Sequence, residues 1–276
     1  MIKMKNLFLC IVCVFFLCTF SSCSNNDPIS SEFLSSQQSK PSEDIYLDKY
    51  IDSVKSTISI PNKYLKVHSI TTLSMNNAES RKSTKIQAKL ISDNDPNMFT
   101  EITCNMELNG QELATRIYYD NVYSYMDLMG LKSKFKIDGY EKIRKINDLT
   151  ILSIPKASIL KTSLSEQGDK DIKFLVDPSW VENELGDSAV NDATQILMQL
   201  EDIGERNIRL MVSDAEVEFT FDDNLISKQI INFSGYVLLD KISVDIKKSI
   251  ETEIIDLGKD FLFEKPDLSE YKEVVF

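Results

Sequence analysis

Residues Thr100–Leu108 read TEITCNMEL, Asn109-Gly110 follows, and Gln111–Tyr119 reads QELATRIYY. Ile102, Cys104, Met106 and Leu108 alternate with Glu101, Thr103, Asn105 and Glu107, and a period of two sends alternate side chains to opposite faces of a strand. Asn-Gly between two such runs supplies the positive φ angles of a two-residue turn, so the stretch predicts an antiparallel hairpin.

The same period extends in both directions. Upstream, Ile86, Ala88 and Leu90 alternate with Lys85, Gln87 and Lys89, and Lys66–Met75 is a further strand. Downstream, Asp120-Asn121 and Met129-Gly130 connect Val122–Leu128 and Leu131–Ile137, the latter with Leu131, Ser133, Phe135 and Ile137 inward. The first half therefore reads as a meander. In the second half Ala215, Val217, Phe219 and Phe221 alternate with Glu216, Glu218 and Thr220. Asp222-Asp223-Asn224 turns the chain into Leu225–Leu239, then Ile242–Lys247 and Ile250–Leu257. Strands with one apolar and one charged face imply a sheet covered on one side.

Helical spacing supplies candidates for the cover. Leu47, Tyr50, Ile51, Val54 and Ile58 form one stripe, with Ser42, Glu43 and Asp44 at its start and Pro61 beyond its end. Pro178–Ile203 is longer, opens at Asp177-Pro178 as a cap and first-turn pair, and aligns Leu185, Ala189, Ala193, Ile196, Leu197, Leu200 and Ile203. Glu182, Asp187, Asp192 and Glu201 are expected mostly off that stripe, and Gly186 is expected to break or kink the helix. Tyr140–Asn147 is a shorter helical candidate.

The chain has 276 residues, 42% hydrophobic and 27% charged, which is a globular composition. Lys+Arg number 31 against 43 Asp+Glu, a net charge of -12, and that balance offers no basic face for nucleic acid. Residues 1–23 read MIKMKNLFLCIVCVFFLCTFSSC. Lys3 and Lys5 precede an apolar run, Leu7–Leu17, too short to span a bilayer, and small residues follow it. Phe20-Ser21-Ser22-Cys23 resembles the bacterial lipobox, with Phe20 where Leu is usual. The resemblance implies a signal peptide over 1–22 and lipidation of Cys23. Residues 23–44, rich in Ser, Asn, Gln and Pro, read as a tether, and with no clear domain break after Asp44 a single domain is expected over 45–276. The protein would sit on the extracytoplasmic face of a bacterial membrane, held by its acyl chains. Cys104 would then be the one remaining thiol, leaving no internal disulfide.

Little in the sequence suggests catalysis. After Cys23 there is no Cys-x-x-Cys, and the chain has no Gly-x-Ser-x-Gly, no phosphate-binding glycine loop and no His-Glu-x-x-His. His68 is expected to be structural on the strand face opposite Val67 and Leu73, and Cys104 a buried, inert thiol. Asp222-Asp223 and Asp93-Asn94-Asp95 lack the spaced ligands of a calcium loop. No catalytic residue, metal site or cofactor is expected.

The segment Tyr118-Tyr119-Asp120-Asn121-Val122-Tyr123-Ser124-Tyr125-Met126-Asp127-Leu128-Met129-Gly130, running into Lys132-Ser133-Lys134, reads locally as a hairpin with aromatic cross-strand pairs. It also resembles a Tyr-Tyr-x-x-Gly-x-x-Tyr-hydrophobic-x-Met-x-Gly pattern of lipoproteins from low-GC bacteria, with Asn121 in place of the Gly. Those proteins resemble the superfamily of LolA/LolB-like proteins and mycobacterial lipid-carrying lipoproteins. The resemblance implies an α+β fold: a strongly curved antiparallel sheet, or half-open β-barrel, with helices covering its concave face. It implies a hydrophobic cavity in which Ile196, Leu197 and Leu200 face Ile102, Met106, Met126 and Phe219. The function implied is binding of a lipid or other hydrophobic small molecule, as a carrier or sensor and without catalysis. A surface interaction module with a packed core is the alternative, and a cell-envelope hydrolase a weaker one. The sequence names no protein partner.

Overall fold

A computed structural model of the chain describes residues 41–60, 62–75, 78–90, 100–108, 110–119, 122–136, 151–164, 171–200, 208–239, 242–258 and 267–274. The alternating segments become β1 (Lys63–Met75), β2 (Ala78–Leu90), β3 (Thr100–Leu108), β4 (Gln111–Tyr119), β5 (Tyr123–Leu128) and β6 (Leu131–Lys136). After them come β7 (Ile159–Leu164), β8 (Asp171–Val176), β9 (Ile208–Asp222), β10 (Leu225–Leu239), β11 (Ile242–Leu257) and β12 (Lys272–Glu273). All belong to one open 12-stranded sheet in the order β12-β6-β5-β4-β3-β2-β1-β11-β10-β9-β8-β7. Two antiparallel meanders meet at the β1–β11 pair, and β12 runs parallel to β6 at one edge, which makes the sheet mixed.

Turn chemistry fixes the register. Leu108 pairs with Gln111 across a two-residue turn in which Gly110 has φ 82°. Leu128 pairs with Leu131 across Met129 (φ 50°) and Gly130 (φ 87°), the left-handed pair that matches strand twist. The Gly130 amide donates to the Asp127 carboxylate at 2.8 Å. Asp222 and Leu225 close another such turn, with Asp223 at φ 53°, so turn formation accounts for the Asp222-Asp223 pair.

Directly opposed residues share a face of a sheet, and one row shows which face is covered. Lys82, Thr71, Lys248, Phe233 and Ala215 lie opposite one another across β2, β1, β11, β10 and β9. Val217, Phe219 and Phe221 follow Ala215 at alternate positions, and all are buried. This is the inner face. Helices α1 (Pro41–Ser59) and α2 (Pro178–Leu200) both lie on it.

Helix α1 starts at Pro41, inside the stretch expected to be a tether. Proline suits a first helical turn, as do the acids Glu43 and Asp44. The helix buries Leu47, Tyr50 and Val54, each contributing about 1.5–3 kcal/mol over an exposed position. The Tyr50 ring meets Phe174 and Phe219 at 5.0 and 4.8 Å between centroids. Its hydroxyl accepts from the Ile154 amide at 2.6 Å, and Thr57 Oγ1 accepts from the Ile226 amide at 2.9 Å. Burial pushes the Tyr50 hydroxyl up to about 12.

Helix α2 begins as expected. Asp177 Oδ1 accepts from the Ser179 amide at 2.9 Å, and Pro178 occupies the first turn. The helix runs unbroken through Gly186, so the expected break does not occur there. A glycine costs a helix about 1 kcal/mol, less than the burial of Val181, Leu185, Ala189, Ala193 and Ile196 on either side returns.

Other differences are of extent. The β7–β8 hairpin has no counterpart among the expected strands, β2 begins well before Lys85, and β11 is continuous through Lys248-Ser249. Tyr140–Asn147, Asp93–Asp95, Asp120-Asn121 and the whole of 1–40, Cys23 included, lie outside the described residues. On the outer face of β4 and β5, Tyr118 stands opposite Tyr125, the expected aromatic cross-strand pair. Tyr271 packs edge-on against Tyr125 at 5.5 Å.

The β9–β10 register shifts at two places, and at the second Ser234 faces Asp214 but Gly235 faces Val212, so Ser213 is bulged. A Cβ on Gly235 would strike the Met211 carbonyl oxygen and lie 2.9 Å from Val212 Cα. Gly235→Ala should therefore cost about 1–3 kcal/mol, read as a lower urea midpoint. An unchanged midpoint would contradict this close approach.

Candidate functional site beneath the long helix

The inner face of α2 mixes small, large and charged side chains. Ala189 and Ala193 have no exposure and let the helix approach the strands closely, while Ile196 and Leu197 fill the space beside them. The helix lies over β9 and reaches β1, β2 and β10. Glu182 Oε1 accepts from the Val212 amide at 2.8 Å, tying the first half of α2 to the bulged strand.

Asp192 lies under the helix, not off its apolar stripe, which corrects the expected placement. It stands three residues after Ala189 and four before Ile196, the spacing of one helix face. Lys82 from β2 pairs with its Oδ1, and Lys248 from β11 approaches Oδ2 at 2.6 Å. The Thr71 hydroxyl donates to Oδ2 at 2.8 Å, and Lys248 Nζ also donates to Ser188 Oγ at 2.9 Å. The two lysine side chains are each 1% exposed and that of Asp192 is 8% exposed.

Burial pushes the Asp192 carboxyl up, but Lys248 and Lys82 outweigh burial and hold it at about 2, below its ordinary 3.8. Burial lowers Lys248, and Asp192 offsets part of that. A carboxyl depressed in the folded state contributes stability that is fully present above about pH 4. That stability is lost as the pH falls through about 2.

The expected cavity residues divide into two groups. Ile196, Leu197 and Phe219 belong to one packed cluster with Val181, Phe174 and Val217. Met106 and Met126 are buried on β3 and β5. Register places them on the inner face too: Leu108 lies opposite Lys82, Met106 opposite Thr84, and Met126 opposite Ile117. Ile102 aligns with Ala88 and Ile117 in the same register, while its side chain and that of Leu200 lie outside the described set.

A depression of about 470 Å³ lies on the outer face instead. Two cross-strand rows line it: Thr72, Lys247, Ser234 and Asp214 in one, Ile70, Ser249, Asn232, Glu216 and Leu175 in the other. It is mixed in character, and Lys173 pairs with Glu216 at its margin at 2.7 Å.

His68 points to the outer face of β1, where Nε2 lies 3.1 Å from Ser83 Oγ. Cys104 is buried on the inner face of β3. Among the described residues, no group of three or more His, Cys, Asp or Glu could hold a metal ion, and no helix is long and apolar enough to cross a membrane.

No family model and no curated protein matches the chain. Solved structures with some likeness include LprF from Mycobacterium bovis, at 12% identity over 79% of this chain and 95% of that one, with a TM-score of 0.40. Another is ywiB from Bacillus subtilis, at 8% identity over 70% and 92%, with a TM-score of 0.22. A Vibrio parahaemolyticus domain assigned to outer-membrane lipoprotein sorting has 9% identity over 82% and 95%, with a TM-score of 0.23. Scores this low do not establish a common function, so the functional reading rests on this chain's own residues.

Replacing Asp192 with asparagine would leave two buried ammoniums without a countercharge. Asp192→Asn is expected to cost about 3–5 kcal/mol in urea unfolding, and a loss of less than about 1 kcal/mol would contradict the buried cluster.

Proposed function

We propose that the chain is a lipid-anchored protein of the extracytoplasmic face of a bacterial cell membrane. It binds a lipid or other hydrophobic small molecule, as a carrier or sensor and without catalysis. The observation that carries this reading is the reach of the apolar inner face. Met106, Ile117, Met126, Leu128 and Phe135 are buried along β3–β6, whereas α2 lies over β9 and extends only to β1, β2 and β10 in its main contacts. In this reading the sheet is a half-open barrel, α1 and α2 occupy its concave side, and the ligand lies along Met106 and Met126. Ile102, Ile196, Leu197, Leu200 and Phe219 bound it. Methionine is unbranched and polarisable, and adapts to flexible acyl chains.

The N-terminal residues supply the anchor: residues 1–22 direct export, Cys23 is acylated, and 24–40 space the domain from the headgroups. A second reading has an observation of its own. Val181, Ala189, Ala193 and Ile196 of α2, with Val217 and Phe219 beneath, have no exposure, as in a packed interaction module without a ligand.

Organic extraction of the purified mature protein, followed by mass spectrometry, distinguishes the two. The carrier reading predicts a hydrophobic molecule that rebinds after delipidation, and the packed module predicts neither. For the anchor, Cys23→Ala is expected to move the protein out of the membrane fraction and abolish palmitate labelling. Unchanged fractionation and labelling would refute lipidation at this residue.

A further inference from the structure

We propose that Lys82 and Lys248 receive the anionic head of an amphiphile, a carboxylate or phosphate carried on an apolar chain. This rests on the preceding reading, that the inner face holds a hydrophobic ligand, and adds the charge of its head.

The lysine cluster is incomplete in two respects. Each ammonium has three N–H donors. Lys82 has one acceptor, Asp192 Oδ1, and Lys248 has two, Asp192 Oδ2 and Ser188 Oγ. Three of the six donors therefore have no acceptor among the described residues. The charges are also unequal: two ammoniums face one carboxylate, and Thr71 and Ser188 are neutral. An unbalanced charge shut away from water is costly. Water could fill the open donors but brings no charge. An oxyanion supplies both acceptors and the missing negative charge, with the strength of charge-assisted hydrogen bonds.

The position suits a head with a tail. Lys82 lies opposite Leu108, and the next residue of β2 on the same face, Thr84, lies opposite Met106. Lys82 thus stands where the part of the inner face under α2 gives way to the methionine-bearing part. A head bound there leaves its chain running along β3 toward the buried Met126. Because both ammoniums are closed to solvent, the head reaches them along the inner face and not from bulk water.

The test titrates the processed, detergent-solubilised protein with two pairs of ligands that differ mainly in charge: oleate with methyl oleate, and dioleoyl phosphatidate with dioleoylglycerol. The charged member of at least one pair is expected to bind about tenfold or more tighter than its neutral partner. Which pair shows the preference separates a carboxylate from a phosphate head. Lys82→Met leaves Asp192 and Lys248 as a neutral pair, and should abolish the preference of the charged member over its neutral partner. Equal affinities within both pairs in the wild type would overturn the proposal and leave the hydrophobic-ligand reading standing. A preference that persists in both Lys82→Met and Lys248→Met would also overturn it. Binding of none of the four would overturn that reading as well.

Discussion

One carboxylate, Asp192, bonds two lysines that lie 110 and 56 residues away in sequence, and the seating of α2 depends on it. An apolar helix face alone tolerates sliding, because Ala189, Ala193 and Ile196 would find similar contacts one turn along β9. A charged group at the centre of that face has no such freedom. Any displacement that separates Asp192 from Lys82 or Lys248 leaves an ammonium in a dry interior, at a cost of several kcal/mol. Buried ion pairs contribute little net stability compared with apolar residues of the same size, and their effect here is to select one position for the helix.

With α2 fixed, the sheet divides into two unlike parts. Over β8–β10 the aromatic and aliphatic side chains Phe174, Val217, Phe219 and Ile231 close against α1 and α2. Tyr50 joins them through both ring and hydroxyl. Over β3–β6 the inner face bears Cys104, Met106, Ile117 and Met126, a softer lining. The outer face differs again: a mixed depression crosses β1 and β8–β11, and Tyr271 packs on the tyrosines of β4 and β5. The lysine cluster thus lies between an aromatic and aliphatic part of the inner face and a part that bears Met106 and Met126.

Much of this was legible from alternation. Ile102 to Leu108, Asn109-Gly110 and Ala215 to Phe221 specify strands, a turn and a shared face, because a half-covered sheet imposes a period of two on its residues. The β7–β8 hairpin was not legible. Leu160 points outward and Phe174-Leu175-Val176 is an unbroken apolar run, so its period is blurred. The cluster leaves a signal in the phase of its charges. Lys82 is in phase with Ile86 and Ala88, Lys248 with Val244 and Ile246, and Asp192 with Ala189 and Ile196. A lone charge at one such position suggests an exposed end of an element. Three of complementary sign suggest a buried constellation, and only the pairing of β1 with both β2 and β11 brings them together.

The ionisation of Asp192 reports most directly on whether this centre exists. A carbon-13 NMR titration of its side-chain carboxyl, assigned by loss of the signal in an asparagine variant, follows that one group in the folded protein. If the carboxylate is held between two buried ammoniums, its midpoint will be at about 2. A midpoint at or above the ordinary 3.8 would show that the carboxylate does not bridge them, and α2 would need another explanation for its position.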